Sequence, residues 1–135
     1  MTPEKLIDQR FRDFLAGDFG AIWDSYHPDS NFRKAFPDRE EYRHYGETEL
    51  ASSLVYEECR VLRSDVVDNR ARVLLLNRFA DGEASHLYFE YANLVMIDGV
   101  WCYYSGARLE REAFAGTPEE LTWEEFKSLS DMVFF

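Results

Sequence analysis

The feature that most constrains the fold is the Asp98-Gly99 dipeptide, which lies between two apolar runs. Asp-Gly in this setting favours a two-residue hairpin turn, because both positions tolerate a positive φ. Polar breaks at 68–69 and 80–83 divide the preceding region in the same manner. The runs between these breaks are rich in Val, Leu, Tyr and Phe, and they predict four strands: 55–67, 71–79, 87–97 and 100–105. Successive hairpins imply an antiparallel β-meander over about residues 54–108.

The chain before residue 54 has helical rather than alternating periodicity. Thr2-Pro3-Glu4 is typical of a helix start, with a hydroxyl cap, a proline at the first helical position and an acid in the first turn. Gly17 ends this helix and Asp18 caps the next one. Helices over about residues 3–53 followed by a meander predict an α+β fold, in which N-terminal helices pack on a curved antiparallel sheet.

The chain after residue 108 contains a further helix-start signal. Thr117 and Glu120 have the spacing of a capping box, which predicts a C-terminal helix over about 118–131. The end, 132–135, is apolar, and we expect it to dock on this protein or on a partner. The length of 135 residues predicts a single domain over 1–135.

The third predicted strand, 87–97, is mostly apolar on both of its faces. A sheet with one solvated side would instead alternate apolar and polar residues. We therefore expect both faces to be covered, one of them by the N-terminal helices. The other face needs the C-terminal helix or a second subunit, and a symmetric homodimer through the sheet is the simpler arrangement.

Charge and composition exclude several classes of protein. The chain has 15 Lys+Arg against 26 Asp+Glu, a net charge of −11, which argues against a nucleic-acid partner. No apolar run approaches the roughly 18–20 residues that span a membrane, and the N-terminus does not resemble a signal peptide. Cys59 and Cys102 are too few for a Cys-rich zinc site. We expect a cytoplasmic protein with no metal and no cofactor.

Two segments resemble a known family. TPEKLIDQRFRDFLAGDF, running into IWDSYHPDS, is similar to the opening of the middle domain of the YchJ-like bacterial proteins. FEYANLVMIDGVWCYYSG is similar to the closing hairpin of that domain, with Glu90 on the strand glutamate of the family. The resemblance implies the nuclear transport factor 2-like (cystatin-like) fold, which is a cone with an open mouth. It implies no particular biochemical function. The SEC-C zinc motifs that usually flank the domain are absent, and Ala92 replaces a small hydroxyl residue.

Two side chains are candidates for acid–base catalysis. His27 would act at the cavity mouth, since imidazole titrates near neutral pH, or it would be structural and satisfy the backbone at a helix end. Glu90 lies within an apolar strand, where burial would raise its pKa as a proton-shuttling carboxylate requires. Its structural alternative is an ion pair with Arg10, which the resemblance makes the natural partner.

Amphipathic aromatic residues are frequent in the chain and predict either core packing or a pocket with a few placed polar groups. Two functions follow. The first is a non-catalytic homodimeric module that binds a small apolar ligand or another protein. The second is a cofactor-free isomerase, dehydratase or hydrolase, in which Glu90 or His27 moves a proton and a tyrosine stabilises the oxyanion. The candidate binding residues are Arg10, Trp23, Tyr26, Tyr88, Trp101 and Tyr104.

Overall fold

The computed structural model describes residues 2–132, with a helical layer first and a sheet after it. The helices are α1 (Pro3–Leu15), α2 (Phe19–Asp24), α3 (Asn31–Ala35) and α4 (Arg39–Tyr45), followed by a π-helical turn (Gly46–Leu50) and the short α5 (Ala51–Ser53). The strands are β1 (Val55–Val67), β2 (Arg70–Ala80), β3 (Ser85–Ile97) and β4 (Val100–Glu110). The predicted α+β fold, with N-terminal helices on a curved antiparallel sheet, is confirmed.

The helix starts follow from local sequence signals. The side chains of Thr2, Asp18 and Asp38 each accept a hydrogen bond from a backbone N–H of the first turn. Gly46 is the point where α4 passes into the π-helical turn. A Cβ at this position would lie 2.2 Å from Cγ of Phe19, so glycine allows α2 and α4 to approach closely.

The sheet has the strand order β1-β2-β3-β4, and every neighbouring pair is antiparallel. Asp98 and Gly99 have φ values of 50° and 79°, as the predicted hairpin turn requires. The register pairs Leu75 with Glu90 and Glu90 with Arg108, which puts these three side chains on one face of the sheet. This face meets the helices.

Each face of the sheet has its own hydrophobic core. The helix-facing core joins α1–α4 to the sheet, and its members include Leu6, Ile7, Phe14, Phe19, Ile22, Tyr26, Tyr42, Val73, Leu75 and Tyr103. The core on the second face is smaller and contains Leu74, Leu76, Phe89, Ala107, Leu121 and Phe126. Both faces are therefore covered, as the two-sided apolar strand predicted.

The prediction of a C-terminal helix over 118–131 is wrong. The segment forms two 3₁₀ turns, Pro118–Glu120 and Trp123–Phe126. The predicted capping box of Thr117 and Glu120 is present. Thr122 and Glu125 form a second capping box, which starts a new turn. Extended backbone at Leu121 separates the two turns, so they do not join into one helix. Such short turns satisfy their own backbone locally. They also let Leu121 and Phe126 both reach the sheet.

The C-terminal segment covers much of the second face, where a helix or a second subunit was expected. Trp123 packs edge-on against Tyr91, with ring centroids 5.4 Å apart. The N–H of Met132 donates to the carbonyl of Gly106 over 2.8 Å. The remainder of the predicted docking end, 133–135, lies outside the described residues. Within residues 2–132, none of the helices combines the length and apolar character needed to cross a membrane.

Candidate functional site

Glu90 lies at the centre of a buried polar cluster on the helix-facing side of the sheet, and only 4% of it is exposed. Its Oε2 accepts a hydrogen bond from the Tyr103 hydroxyl over 2.7 Å, and its Oε1 accepts one from Nδ2 of Asn77 over 3.0 Å. The hydroxyl of Tyr56 donates to Oδ1 of Asn77. Both carboxylate oxygens are thus bonded inside the core, as a buried charge requires.

Arg10 supplies the positive charge of the cluster. Its guanidinium carbon lies 4.6 Å and 4.3 Å from the ring centroids of Tyr26 and Tyr103. The guanidinium donates to Oγ of Ser25 over 2.6 Å and to the Tyr26 hydroxyl over 3.2 Å, rather than to Glu90. The ion pair that the resemblance implied is therefore replaced by an indirect contact, in which Tyr103 touches both charged groups.

The protonation states of the cluster follow from its burial. Burial raises the pKa of Tyr26, and burial together with the charge of Glu90 raises the pKa of Tyr103. Burial alone would lower the pKa of Arg10, but the neighbouring Tyr26, Tyr103 and Glu90 outweigh it and the pKa rises. Near neutral pH the cluster therefore combines a permanent cation with neutral phenols.

The space beside this cluster is too small for a substrate. A cavity of about 20 Å³ is lined by residues that include Arg10, Tyr56, Cys59 and Glu90. A single water needs roughly 10–15 Å³ of such space, so the cavity has room for about one water. Burial raises the pKa of the Cys59 thiol to about 11, so the protonated thiol faces this space.

His27 lies at the edge of the helical layer. Its ring Nδ1 accepts a hydrogen bond from the backbone N–H of Asp29 over 2.9 Å. The backbone N–H of His27 donates to the carbonyl of Tyr103 over 2.9 Å. Its ring packs edge-on against Tyr104, with centroids 5.1 Å apart. These contacts match the structural alternative, in which a ring nitrogen satisfies the backbone at a helix end.

A larger pocket of about 420 Å³ opens where the helical layer meets one end of the sheet. We call it the rim pocket. Its lining residues are Tyr45, Leu50, Leu54, Phe79, His86, Tyr88, Arg108 and Glu110. Tyr88 is only 5% exposed, and its hydroxyl has no hydrogen-bond partner among the described residues.

A cross-strand stack holds Tyr88 in place at the rim pocket. The rings of Tyr56 and Phe79 are stacked with centroids 4.1 Å apart, and those of Phe79 and Tyr88 with centroids 5.8 Å apart. The guanidinium carbon of Arg108 lies 4.3 Å from the Tyr88 centroid. The Tyr88 ring is therefore held in a defined position, and within residues 2–132 its hydroxyl has no acceptor.

The structure distributes the predicted site residues over several places. Arg10 and Tyr26 join Glu90 in the buried cluster, and Tyr88 lines the rim pocket. Trp101 is a core residue, 4% exposed, and Tyr104 is 37% exposed beside His27. Trp23 donates from Nε1 to the carbonyl of Phe36 over 2.9 Å, and the Arg33 guanidinium carbon lies 3.5 Å from the Trp23 ring centroid. Within residues 2–132, no three His, Cys, Asp or Glu side chains are grouped to hold a metal ion.

Sequence reasoning missed Asn77 and the strand end beyond residue 105. Asn77 is fully buried, and its amide follows the apolar run VLLL of β2. An amide on the core side of an apolar strand is itself a signal of a buried polar network. Arg108 and Glu110 were missed because β4 was expected to end at 105, whereas it reaches Glu110.

Comparisons with known proteins place this geometry in a family. The family described as the YchJ middle NTF2-like domain matches residues 2–106. The solution structure of RPA3114, a SEC-C motif containing protein from Rhodopseudomonas palustris, is similar over 81% of this chain and 80% of that chain. Its TM-score is 0.65 and its sequence identity 23%, a likeness that shows the fold. No curated protein matches the chain.

Proposed function

This chain belongs to the YchJ-like family of middle NTF2-like domains, and we propose that it is a non-catalytic module that binds a small, mainly apolar ligand in the rim pocket. The observation that carries the proposal is the rim pocket itself, an opening of about 420 Å³ whose lining includes Leu50, Leu54 and Phe79. Apolar surface of this kind is removed from water when a small apolar ligand binds.

The composition of the rim pocket supports a ligand of this kind. Its volume of about 420 Å³ falls within the range of roughly 300–1,000 Å³ that is usual for small-molecule sites. Leu50, Leu54 and Phe79 provide apolar walls, and a few polar groups stand among them. Sites that bind small molecules combine apolar walls with few polar groups in the same way.

The acid–base alternative has less support. Both oxygens of Glu90 already accept hydrogen bonds, and the cavity beside it measures about 20 Å³. Nδ1 of His27 accepts a bond from the backbone of Asp29. A general base must come within hydrogen-bond reach of a substrate proton, and a closed core offers Glu90 no such approach.

Homodimerisation through the sheet stays a prediction. The C-terminal segment contributes Leu121 and Phe126 to the second face, and Arg60 of β1 forms an ion pair with Glu119 of that segment over 3.4 Å. Near the end of β1, Asp65 pairs with Arg72 over 3.0 Å. A dimer contact here would be polar. Light scattering at micromolar concentration tests it, and a monomeric mass would contradict it.

Titration with naphthamide, a neutral probe with an apolar ring system and an amide acceptor, tests the binding function. We expect amide chemical shifts to change at Phe79, His86 and Tyr88. Leu54→Trp should fill the pocket and abolish these changes. Val100→Trp, at a site that is 54% exposed beside the β3–β4 turn, is the matched control and should leave them intact. Shifts elsewhere, or binding that survives Leu54→Trp, would refute the proposal.

A further inference from the structure

A separate pocket of about 370 Å³ lies on the second face of the sheet, between strands β3 and β4 and the C-terminal segment. We call it the second-face pocket. Its aromatic lining residues are Tyr91, Trp123 and Phe126. Its charged lining residues are Glu124, Lys127 and Asp131. Aromatic rings beside carboxylates distinguish this pocket from the mainly apolar rim pocket.

The aromatic residues form a corner that can hold a cation. The rings of Tyr91 and Trp123 meet at 83°, with centroids 5.4 Å apart, and the Phe126 centroid lies 5.7 Å from that of Tyr91. A cation is attracted to the face of an aromatic ring within about 6 Å of its centroid, most strongly to tryptophan. Tyr91 and Trp123 are only half-buried and both line the pocket, so a ligand has access to their rings.

The Trp123 ring already attracts one cation of the protein. The guanidinium carbon of Arg72 lies 4.2 Å from the Trp123 centroid. Arg72 lines a different hollow and pairs with Asp65 over 3.0 Å, which offsets its charge. The second-face pocket therefore meets ring surface that Arg72 leaves open.

The charges of the pocket favour a cationic ligand. Nζ of Lys127 lies 3.9 Å from Oε2 of Glu124, so these two charges offset each other. Asp131 accepts hydrogen bonds from the neutral N–H groups of Gly106 and Asn31, over 2.8 Å and 2.7 Å. Among the described residues it has no cationic partner, so the pocket retains a negative charge. The net charge of the whole chain, −11, adds to the attraction of cations.

We infer that the second-face pocket binds small quaternary ammonium cations, held against the corner of Tyr91 and Trp123 with Asp131 as the opposing charge. The inference goes beyond the proposed function and does not depend on the rim pocket. The aromatic rings offer no acceptor to the N–H groups of a primary ammonium, and both Asp131 oxygens already accept hydrogen bonds. A quaternary ammonium has no N–H group that needs an acceptor, and aromatic rings recognise it directly.

Three ligands test the inference: choline, its neutral isostere 3,3-dimethylbutan-1-ol, and ethanolamine, which has the charge without the methyl groups. NMR titration of the wild-type protein follows each ligand through the backbone amide of Tyr91 and the indole N–H of Trp123. At these signals choline should bind about tenfold more tightly than the other two, since a cation–π contact with a partly desolvated ring contributes about this factor.

Trp123→Leu should weaken choline binding by about tenfold or more. Phe114→Leu is the matched control and should leave choline binding within about twofold. Phe114 is likewise half-buried against the core of the second face, where its ring packs on Phe89 with centroids 5.9 Å apart. Choline binding that survives Trp123→Leu would contradict the inference.

The wild-type comparison decides the matter even if Trp123→Leu does not fold. Equal affinities for choline and the alcohol, tighter binding of ethanolamine, or no change at Trp123 with millimolar choline would each overturn the inference. Choline-induced changes confined to Phe79 and Tyr88 would overturn it as well, because they would place the ligand in the rim pocket. None of these results removes the proposed function, which concerns a neutral apolar ligand at the other pocket.

Discussion

The hydroxyl of Tyr103 donates a 2.7 Å hydrogen bond to Glu90. The ring of the same tyrosine lies 4.3 Å from the Arg10 guanidinium carbon. A single side chain on β4 therefore connects a buried cation on α1 with a buried anion on β3. The Tyr103 backbone also binds Ser25 and His27 over 2.8 Å and 2.9 Å, which ties the end of α2 to the sheet. Glu90 thus helps to hold the helical layer on the sheet.

Tyr103→Phe should lower the free energy of unfolding by about 1.5–3 kcal/mol. The reason is that the variant removes a hydrogen bond to a buried carboxylate and leaves Glu90 with one donor fewer. Urea denaturation measures the effect as a lower midpoint at an unchanged m value. A loss below about 0.5 kcal/mol would contradict the structural role given to this bond.

Tyr88→Phe is the matched counterpart and should leave the free energy of unfolding unchanged or slightly raised, by up to about 1 kcal/mol. The ring and its stacking remain, and the hydroxyl that is lost has no partner among the described residues. The same urea experiment applies. A loss as large as that of Tyr103→Phe would mean that the Tyr88 hydroxyl is satisfied in the free protein.

Arg10 and Glu90 should be energetically coupled, although their contact is indirect and runs through Tyr103. Arg10→Met and Glu90→Gln should each cost about 3–5 kcal/mol, because each leaves one buried charge without its counterpart. The double variant should cost less than the sum of the two, by about 1–3 kcal/mol. Denaturation of all four proteins completes the cycle. Additive losses would show that the two charges do not stabilise each other.

Phe126→Ala should lower the free energy of unfolding by about 3–5 kcal/mol, since Phe126 is 5% exposed in the core of the second face. Leu129→Ala, at a position that is 38% exposed, is the control and should cost only about 0.5 kcal/mol. Equal and small effects of the two variants would mean that the C-terminal segment does not contribute to the fold.

Stability should fall as the pH rises from 9 to 11. Burial raises the pKa of Cys59 from 9.0 to about 11, so between these values the unfolded chain loses a proton that the folded protein keeps. The full contribution is present below pH 9, and its loss amounts to roughly 2–3 kcal/mol by pH 11. The raised pKa values of Tyr56 and Tyr103 add to the decline above pH 10.

Cys59→Ala isolates the thiol from the tyrosines. Between pH 9 and 10 the free energy of unfolding of this variant should decline less steeply than that of the wild-type protein. A smaller decline remains, because burial also raises the pKa of the Cys102 thiol. Parallel curves for the two proteins over this range would contradict the raised thiol pKa. Chemical denaturation at a series of pH values gives both curves.

The helix starts and the hairpin turn could be predicted because their interactions are local. The caps at Thr2, Asp18 and Asp38 bind backbone groups within three residues. The Asp98-Gly99 turn depends on the φ values of its own two residues. The C-terminal helix was predicted wrongly, since contact of Leu121 and Phe126 with the sheet prevailed over the helical spacing.

The sequence by itself determined the fold class, the order of the elements and the presence of a glutamate within an apolar strand. Only the tertiary structure decided what that glutamate meets: Asn77 and Tyr103 each lie 13 residues from Glu90 and reach it through neighbouring strands. The rim pocket likewise draws its walls from residues between Tyr45 and Glu110. Periodicity shows which face a side chain occupies, but the strand register and the helix packing determine its neighbours.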